Sequence, residues 1–354
     1  MFPASLVKLI RTLVIGVAGG LLASWLRFPL PWFLGPLFAC AAFNLAGAGL
    51  EISPRARRLG QWMVGTALGL YFTPEAGARI VALGLPLLAA TVYSGLLGMG
   101  FSWALYRFGR ADPATAIFGG SIGGATEMSL QGAQAGGLLS LMTAGHSLRV
   151  LIVVSVIPFS YQFLGVQGTD LSLQASRSVD AATLGWLLLL SYSAGWIAAR
   201  VGVPNGWVLG PLFVVGATGF AGIDWSALPT PMINAGQILI GMSLGSRFAP
   251  GFFRSAPRYL GVMAVATVVG MILTVGFSWL LAVWSDIPFA TMVLATAPGG
   301  VAEMSLTAKA LQLGVPVVAV FHLVRYILLV LSMGPLYAWM ARRYGWPLPQ
   351  GRID

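Results

Sequence analysis

Charged and metal-binding side chains are scarce in this chain of 354 residues. Only 8% of the residues are charged and 57% are hydrophobic, whereas a soluble globular domain carries about 25% charged residues. The single cysteine, Cys40, excludes an intramolecular disulfide and a thiolate metal cluster. The composition therefore predicts an integral membrane protein in which Cys40 is an apolar packing residue.

The positive charge does not indicate nucleic acid. The net charge is +10, but the arginines stand singly or in small groups such as Arg55, Arg57 and Arg58, beside apolar segments. This pattern is typical of residues that set membrane topology. No polar stretch is long enough to form the aqueous basic module that nucleic-acid binding requires. The long apolar stretches with short polar breaks predict several helical spans, with the lipid bilayer as a partner and no direct contact with nucleic acid.

Two sequence motifs occur twice at a spacing of half the chain. Residues 123–130 read GGATEMSL and residues 299–306 read GGVAEMSL, and the motif LGPLF stands at both 34–38 and 209–213. A His-x-x-Arg motif follows each glutamate motif. The order of features is the same in both halves, which indicates a duplicated unit. We predict a first repeat over residues 1–165, a linker over 166–181 and a second repeat over 182–343.

Each repeat is predicted to contain five apolar helices and one interrupted segment. The interrupted segments are 113–137 and 288–314, because glycine-rich and proline-glycine stretches break both of them. The predicted helices are 7–26, 32–50, 59–72, 80–106 and 138–164 in the first repeat, and 182–199, 207–220, 234–248, 259–284 and 317–340 in the second.

The path of the interrupted segments decides how the repeats are related. Segments that re-enter on the same side give five spans per half and inverted repeats, whereas segments that cross give six spans and parallel repeats. The positive-inside rule favours inverted repeats, because the inverted arrangement places four arginines of the second half inside, namely Arg200, Arg247, Arg254 and Arg258. Three arginines lie outside in this arrangement and count against it, namely Arg27, Arg79 and Arg177. Each arm is shorter than the ~20 residues that a span requires, but one broken helix over the whole segment remains an alternative. The predicted fold class is an all-α polytopic membrane protein with two inverted repeats of five transmembrane helices plus one broken or re-entrant segment each.

The doubled glutamate motif is the first candidate site. Glu127 and Glu303 follow the paired glycines at the first turn of the second arm, and ionisable groups at membrane depth are functional candidates by default. The glycines allow the backbone to approach a ligand closely. The carboxylates suit proton or cation coupling, and the structural alternative is a helix cap or a buried ion pair.

The His-x-x-Arg motifs are the second candidate site. His146 with Arg149, and His322 with Arg325, share a helix face in each half. A buried arginine needs an anionic partner, so either the motif glutamate or a substrate anion is expected. The predicted substrate- or ion-binding residues are Gly123, Gly124, Glu127, Ser129, His146, Arg149, Gly299, Gly300, Glu303, Ser305, His322 and Arg325, with no catalytic residue and no metal ligand among them.

These doubled motifs resemble the AbrB-duplication family of bacterial inner-membrane proteins over nearly the whole chain. Members carry labels such as transcriptional regulator or ammonia monooxygenase, and the resemblance implies a multi-pass protein of the bacterial inner membrane with a design similar to that of secondary transporters. Two histidines in different halves make a poor ligand set for a copper or iron monooxygenase. We therefore expect no enzyme activity and no cofactor.

The predicted function is a secondary transporter of a small solute, for which an anion is a candidate, coupled to protons or sodium. The alternative is a membrane sensor or regulator that affects gene expression indirectly. A small-molecule or ion substrate is the expected partner, and self-association into a homo-oligomer stays open.

Overall fold

The computed structural model describes residues 4–168 and 178–347, which form sixteen α-helices and no strand. Residues 1–3 of the first predicted repeat, the central part of the predicted linker with Arg177, and the side chain of Arg79 lie outside the described residues. The helices are α1 (Ala4–Trp25), α2 (Pro31–Leu45), α3 (Pro54–Gly69), α4 (Pro74–Ala82), α5 (Gly84–Arg107), α6 (Pro113–Gly120), α7 (Ala125–Gln134), α8 (Leu139–Phe163), α9 (Ala181–Arg200), α10 (Gly206–Phe220), α11 (Thr230–Gly245), α12 (Phe252–Ser255), α13 (Pro257–Ser285), α14 (Phe289–Thr296), α15 (Val301–Ala310) and α16 (Val315–Tyr344).

Six helices are long and apolar enough to cross a membrane, namely α1, α5, α8, α9, α13 and α16. The chain is therefore a multi-pass helical membrane protein. Helices α2 and α10 have 15 residues, and α3 and α11 have 16, which corresponds to about 24 Å of helix against a hydrocarbon core of about 30 Å. The predicted helix 80–106 is divided differently in the structure, because α4 ends at Ala82 and α5 begins at Gly84.

The two halves of the chain build matching elements. Helices α2, α3, α6 and α7 have the same lengths as α10, α11, α14 and α15, and each begins 175 or 176 residues before its counterpart. Left-handed backbone conformations recur at the same spacing, since Leu30 pairs with Asn205 and Arg110 with Asp286, at φ between 50° and 56°. Non-glycine residues rarely adopt this conformation, so its repetition at matched positions extends the sequence similarity to local backbone geometry.

The helices form two compact units, and each unit contains matching helices from both halves. The first unit contains α1 to α4, α9 to α11, the end of α8 and the segment Ser305–Val317. The second contains α5 to α7, most of α8, α12 to α14, the first residues of α15 and most of α16. Both broken segments thus begin in the second unit. The division of the sequence into two repeats and a linker stays a prediction, since it describes the order of the chain rather than these units.

The doubled LGPLF motif is a helix-packing motif of the first unit. A Cβ on Gly35 would lie 2.8 Å from Cβ of Ala23, and a Cβ on Gly210 would lie 2.8 Å from the carbonyl carbon of Ala194. Glycine therefore allows α2 to lie against α1, and α10 against α9, at backbone contact distance. Pro36 and Pro211 stand inside these two helices.

Contacts in the first unit also define helix directions across the two halves. Along α3, Gly65 contacts Val208 and the later Gly69 contacts Val215, so α3 and α10 run in the same direction. The matching helices α11 and α2 behave alike, since the contacts advance from Gly241 on Phe33 to Gly245 on Cys40.

Helix α3 and its counterpart α11 run in opposite directions. Gly60 contacts Leu239 and Ile240, whereas Gly236 contacts Met63 and Val64. Later residues of α3 therefore contact earlier residues of α11. Equivalent helices from the two halves are antiparallel at this contact.

The second unit is built around α5 and α13. The rings of Tyr93 and Phe277 stack at 4.0 Å between centroids, and the Tyr93 hydroxyl lies 3.1 Å from Oγ1 of Thr274. A glycine at 270 leaves room for the ring of Phe101, which is buried. Helix α6 packs on α5 and α14 packs on α13, so the long helices support the first arms of the two broken segments.

Candidate functional site

Each broken segment consists of two short helices separated by four residues. Residues 121–124 separate α6 from α7, and residues 297–300 separate α14 from α15. The arms contain eight and ten residues, or about 12 and 15 Å of helix. The predicted breaks at the glycine-rich and proline-glycine stretches are confirmed. At each break a helix C-terminus and a helix N-terminus leave backbone groups without partners inside the helix.

Two buried arginines bind the C-terminal ends of the first arms. Nη1 of Arg149 donates to the carbonyls of Gly120 at 3.2 Å and Ser121 at 2.9 Å. In the second half, Nη1 and Nη2 of Arg325 donate to the carbonyls of Ala297 and Gly299, both at 2.6 Å. A cation is favoured there because the helix dipole places about half a negative charge at a C-terminus. An acidic side chain or a substrate anion was the partner expected from the sequence, whereas the structure shows backbone carbonyls as the partners.

The two histidines of the motif position the arginines. Nδ1 of His146 lies 3.2 Å from Nη2 of Arg149, and Nδ1 of His322 lies 2.9 Å from Nη2 of Arg325. Since a guanidinium can only donate, each Nδ1 accepts the bond. The Nε2 of His322 lies 2.8 Å from the carbonyl of Leu294 and therefore carries the proton that this contact requires. This imidazole is neutral and links its arginine to the body of α14.

The motif glutamates lie over the second glycine of each pair. Glu127 and Glu303 are the third residues of α7 and α15, where a carboxylate can approach the backbone at the start of the helix. A Cβ added to Gly124 would lie 2.8 Å from Oε2 of Glu127, and one added to Gly300 would overlap Oε2 of Glu303. The second glycine thus provides the space for the carboxylate. A carboxylate at the third position of a helix, beside the residue that precedes the helix, is compatible with an N-terminal cap, the structural alternative considered from the sequence.

The methionine of the motif lies against the first glycine of each pair. A Cβ on Gly123 would lie 3.1 Å from Sδ of Met128, and one on Gly299 would lie 2.9 Å from Cγ of Met304. Both methionines are fully buried. Neither methionine was among the predicted site residues, although a methionine at this position of both copies was the available signal.

The environment of the first break includes aromatic residues from the second half. The ring of Tyr326 covers Gly124, and Tyr326 interacts electrostatically with Glu127. The hydroxyl of Tyr259 reaches Gly119. Position 150, which matches Tyr326 in the first half, is a valine. The two breaks therefore share a motif but differ in the side chains around them.

Four buried polar atoms at matched positions have no hydrogen-bond partner among residues 4–168 and 178–347. They are the hydroxyls of Ser129 and Ser305 and the Nε atoms of Arg149 and Arg325. Leaving such a group unpaired costs about 1–3 kcal/mol, and more for a charged group. These unpaired groups recur at the same positions of both copies.

Eleven of the twelve predicted site residues belong to the second unit, and Ser305 begins the segment assigned to the first. The second unit therefore contains both breaks, both motif glutamates and both arginines. No group of three or more histidine, cysteine or acidic residues that could hold a metal ion occurs in the described part of the chain.

Known proteins resemble this chain along most of its length. A family model described as "Transition state regulatory protein AbrB" matches residues 32–341. "Uncharacterized protein YhjN" of Bacillus subtilis (strain 168) is 25% identical over 366 residues, which cover 96% of this chain and 95% of that protein. "Putative regulator AbrB" of Escherichia coli (strain K12) is 23% identical over 315 residues, which cover 88% of this chain and 90% of that protein.

Proposed function

This chain belongs to the AbrB family of membrane proteins, and from this premise we propose that it is a secondary transporter of a small solute, coupled to protons or sodium. The protein moves the solute through the bacterial inner membrane without changing it chemically and requires no cofactor. The single observation that carries the proposal is the pair of broken segments. Each one combines an arginine-bound helix C-terminus with a carboxylate over a helix N-terminus.

The proposed architecture is two inverted repeats, each with five transmembrane helices and one broken or re-entrant segment. The contacts of Gly60 and Gly236 support it, because they make the equivalent helices α3 and α11 antiparallel. Inverted repeats with paired broken helices are the common design of secondary transporters, whose site lies near the midplane where the breaks meet. On this architecture ten helices span the bilayer, and the shorter α2, α3, α10 and α11 are among them.

The charged residues at the breaks are candidates to bind both the transported solute and the coupling ion. The arginines with their unpaired Nε atoms are candidates for an anionic solute. The glutamates are candidates for the proton or sodium ion, since Glu127 and Glu303 are both partly accessible, unlike the arginines. The serines, histidines and glycines of the motifs complete the proposed binding residues by lining or positioning these groups.

Reconstitution tests the proposal. Purified protein in proteoliposomes, with a proton or sodium gradient, should accumulate a solute from a mixture of small metabolites, measured by mass spectrometry of the vesicle contents. Glu127→Gln or Glu303→Gln should abolish accumulation while the variant keeps its helical circular dichroism spectrum. Glu51→Gln is the matched control, because Glu51 is largely exposed and bound to Lys8 at 3.6 Å. Equal accumulation in all three variants would refute the role of the motif carboxylates.

A second candidate function is a membrane sensor that affects gene expression indirectly. The name of the Escherichia coli relative, a putative regulator, favours it. A direct DNA contact is not proposed, because the chain has no aqueous basic module. A sensor would give no accumulation in vesicles, but deletion of the gene would change transcript levels, and Glu127→Gln would reproduce that change.

A further inference from the structure

We infer that Tyr326 is a positioning residue through which α16 couples the two breaks. The inference rests on the proposed function, because coupled transport requires that binding at one site changes binding at the other. It names the residue that links the two motif glutamates in that function. It begins from residues 322–330 of α16, which contact both broken segments.

This stretch of α16 holds the second break by hydrogen bonds. Nη1 and Nη2 of Arg325 donate to the carbonyls of Ala297 and Gly299, both at 2.6 Å. One turn earlier, Nε2 of His322 lies 2.8 Å from the carbonyl of Leu294. Hydrogen bonds from a charged donor are stronger than neutral ones, so α16 and the end of α14 are held together at this point.

The same stretch covers the first break with an aromatic ring. A Cβ on Gly124 would lie 2.5 Å from Cε2 of Tyr326 and 2.8 Å from Oε2 of Glu127, so the ring and the carboxylate meet over this glycine. One turn further along both helices, Nε2 of Gln131 donates to the carbonyl of Val330 at 3.0 Å. Two successive turns of α7 therefore lie against two successive turns of α16.

Helix geometry makes the two sets of contacts move together. Arg325 and Tyr326 are consecutive residues, and consecutive side chains point about 100° apart around a helix axis. One residue is therefore directed to the second break and the next to the first. A rotation or shift of α16 that releases the carbonyls of the second break must also move the ring over the first, because a packed helix moves as a rigid element.

The matched position in the first half carries no ring. The residue of α8 that corresponds to Tyr326 is Val150. The three atoms nearest to a Cβ on Gly300 all belong to Glu303, so no described residue of α8 covers Gly300 as closely as Tyr326 covers Gly124. The two copies of the motif thus share their arginine contacts but differ in this ring. Transmission between the breaks therefore depends on Tyr326.

The test follows the reactivity of Glu303 while the first break is changed. Purified full-length protein is treated with a water-soluble carbodiimide and glycine methyl ester, and mass spectrometry of the peptides gives the modification rate of each carboxyl group. Gly124→Ala places a Cβ against the ring of Tyr326 and should change the rate at Glu303 at least about twofold. The effect should persist with Tyr326→Phe, which keeps the ring, and disappear with Tyr326→Val, which carries the side chain found at position 150.

Two controls separate coupling from general destabilisation. Glu51 is largely exposed and belongs to the first unit, so it should be modified at the same rate in every variant. Tyr344→Val, on the exposed last turn of α16, should leave the effect of Gly124→Ala on Glu303 unchanged. An equal effect of Gly124→Ala with tyrosine and with valine at position 326 would overturn the inference, as would loss of the effect with phenylalanine.

A second measurement uses the unaltered protein and does not depend on whether Gly124→Ala folds. After partial modification, top-down mass spectrometry compares the fraction of molecules modified at both Glu127 and Glu303 with the product of the two single fractions. These values should differ in the unaltered protein and agree in Tyr326→Val. Agreement in the unaltered protein would overturn the inference, and solute accumulation in vesicles would then leave the transport proposal intact. Coupled modification without accumulation of any solute would refute transport and retain the link between the breaks.

Discussion

Substitution of Gly300 by alanine tests the proposed reason for the second glycine of the motif. The added Cβ would overlap Oε2 of Glu303, so the carboxylate must leave its place over the start of α15. Loss of the interaction with the helix dipole costs about 0.3–1 kcal/mol, up to about 2 when partly buried. Insertion of a methyl group into a packed site costs a further 1–3 kcal/mol, roughly. We expect Gly300→Ala to lower the free energy of unfolding by about 1–5 kcal/mol.

The assay is denaturation of the purified protein in detergent, followed by circular dichroism. Gly276→Ala, in the interior of α13, is the matched control, because a Cβ at that position meets no atom within 4 Å. Alanine favours a helix over glycine by about 1 kcal/mol, so this variant should be neutral or more stable. A loss of stability in both variants would mean that the effect is not specific to the break.

A double-mutant cycle isolates the contact with Glu303. If the added methyl group destabilises the protein by displacing the Glu303 carboxylate, Gly300→Ala should change the free energy of unfolding little in a Glu303→Ala background, because the carboxylate is then absent. The difference between the two backgrounds should therefore be at least about 1 kcal/mol. The same cost in both backgrounds would refute the reasoning, since Gly300 would then be required by the backbone alone.

Two further predictions concern packing and pH. Gly245→Val should increase the rate at which a thiol reagent labels the buried Cys40, because a Cβ at Gly245 would lie 2.9 Å from Cβ of Cys40. Gly185→Val is the control and should leave the labelling rate unchanged, because a Cβ at that position meets no atom within 4 Å. Asp180 precedes α9, and hydrogen bonds from the Thr183 side chain and backbone lower the pKa of its carboxyl group. The ionised Asp180 carboxylate should therefore stabilise the protein above the ordinary pKa of about 4, and this stabilisation should be lost as the pH falls through the lowered pKa. In acid denaturation, Asp180→Asn should lose this pH dependence. An unchanged pH dependence in the variant would contradict the role given to Asp180.

Much of the secondary structure follows from local sequence. The paired glycines and Pro298 break their segments because glycine weakens a helix and proline cannot continue one, and the structure places the breaks there. The separation of α4 from α5 was not predicted, although Gly84 and Pro86 stand at the start of α5 and both disfavour a continuous helix through this point. The roles of Met128 and Met304 were also missed, because a methionine in an apolar segment is ordinarily a packing residue.

Composition and repeated motifs were enough to predict a helical protein that spans the membrane several times and contains two matched halves, because both signals can be read locally along the chain. Tertiary structure decided what the charged residues contact. From the sequence, Arg149 and Arg325 were expected to meet an acidic side chain or a substrate, but they bind the carbonyl ends of α6 and α14. Backbone carbonyls are present at every residue, so no sequence pattern marks which of them lose their partners. Only the folding of each broken helix against its long neighbour brings those carbonyls to the arginine.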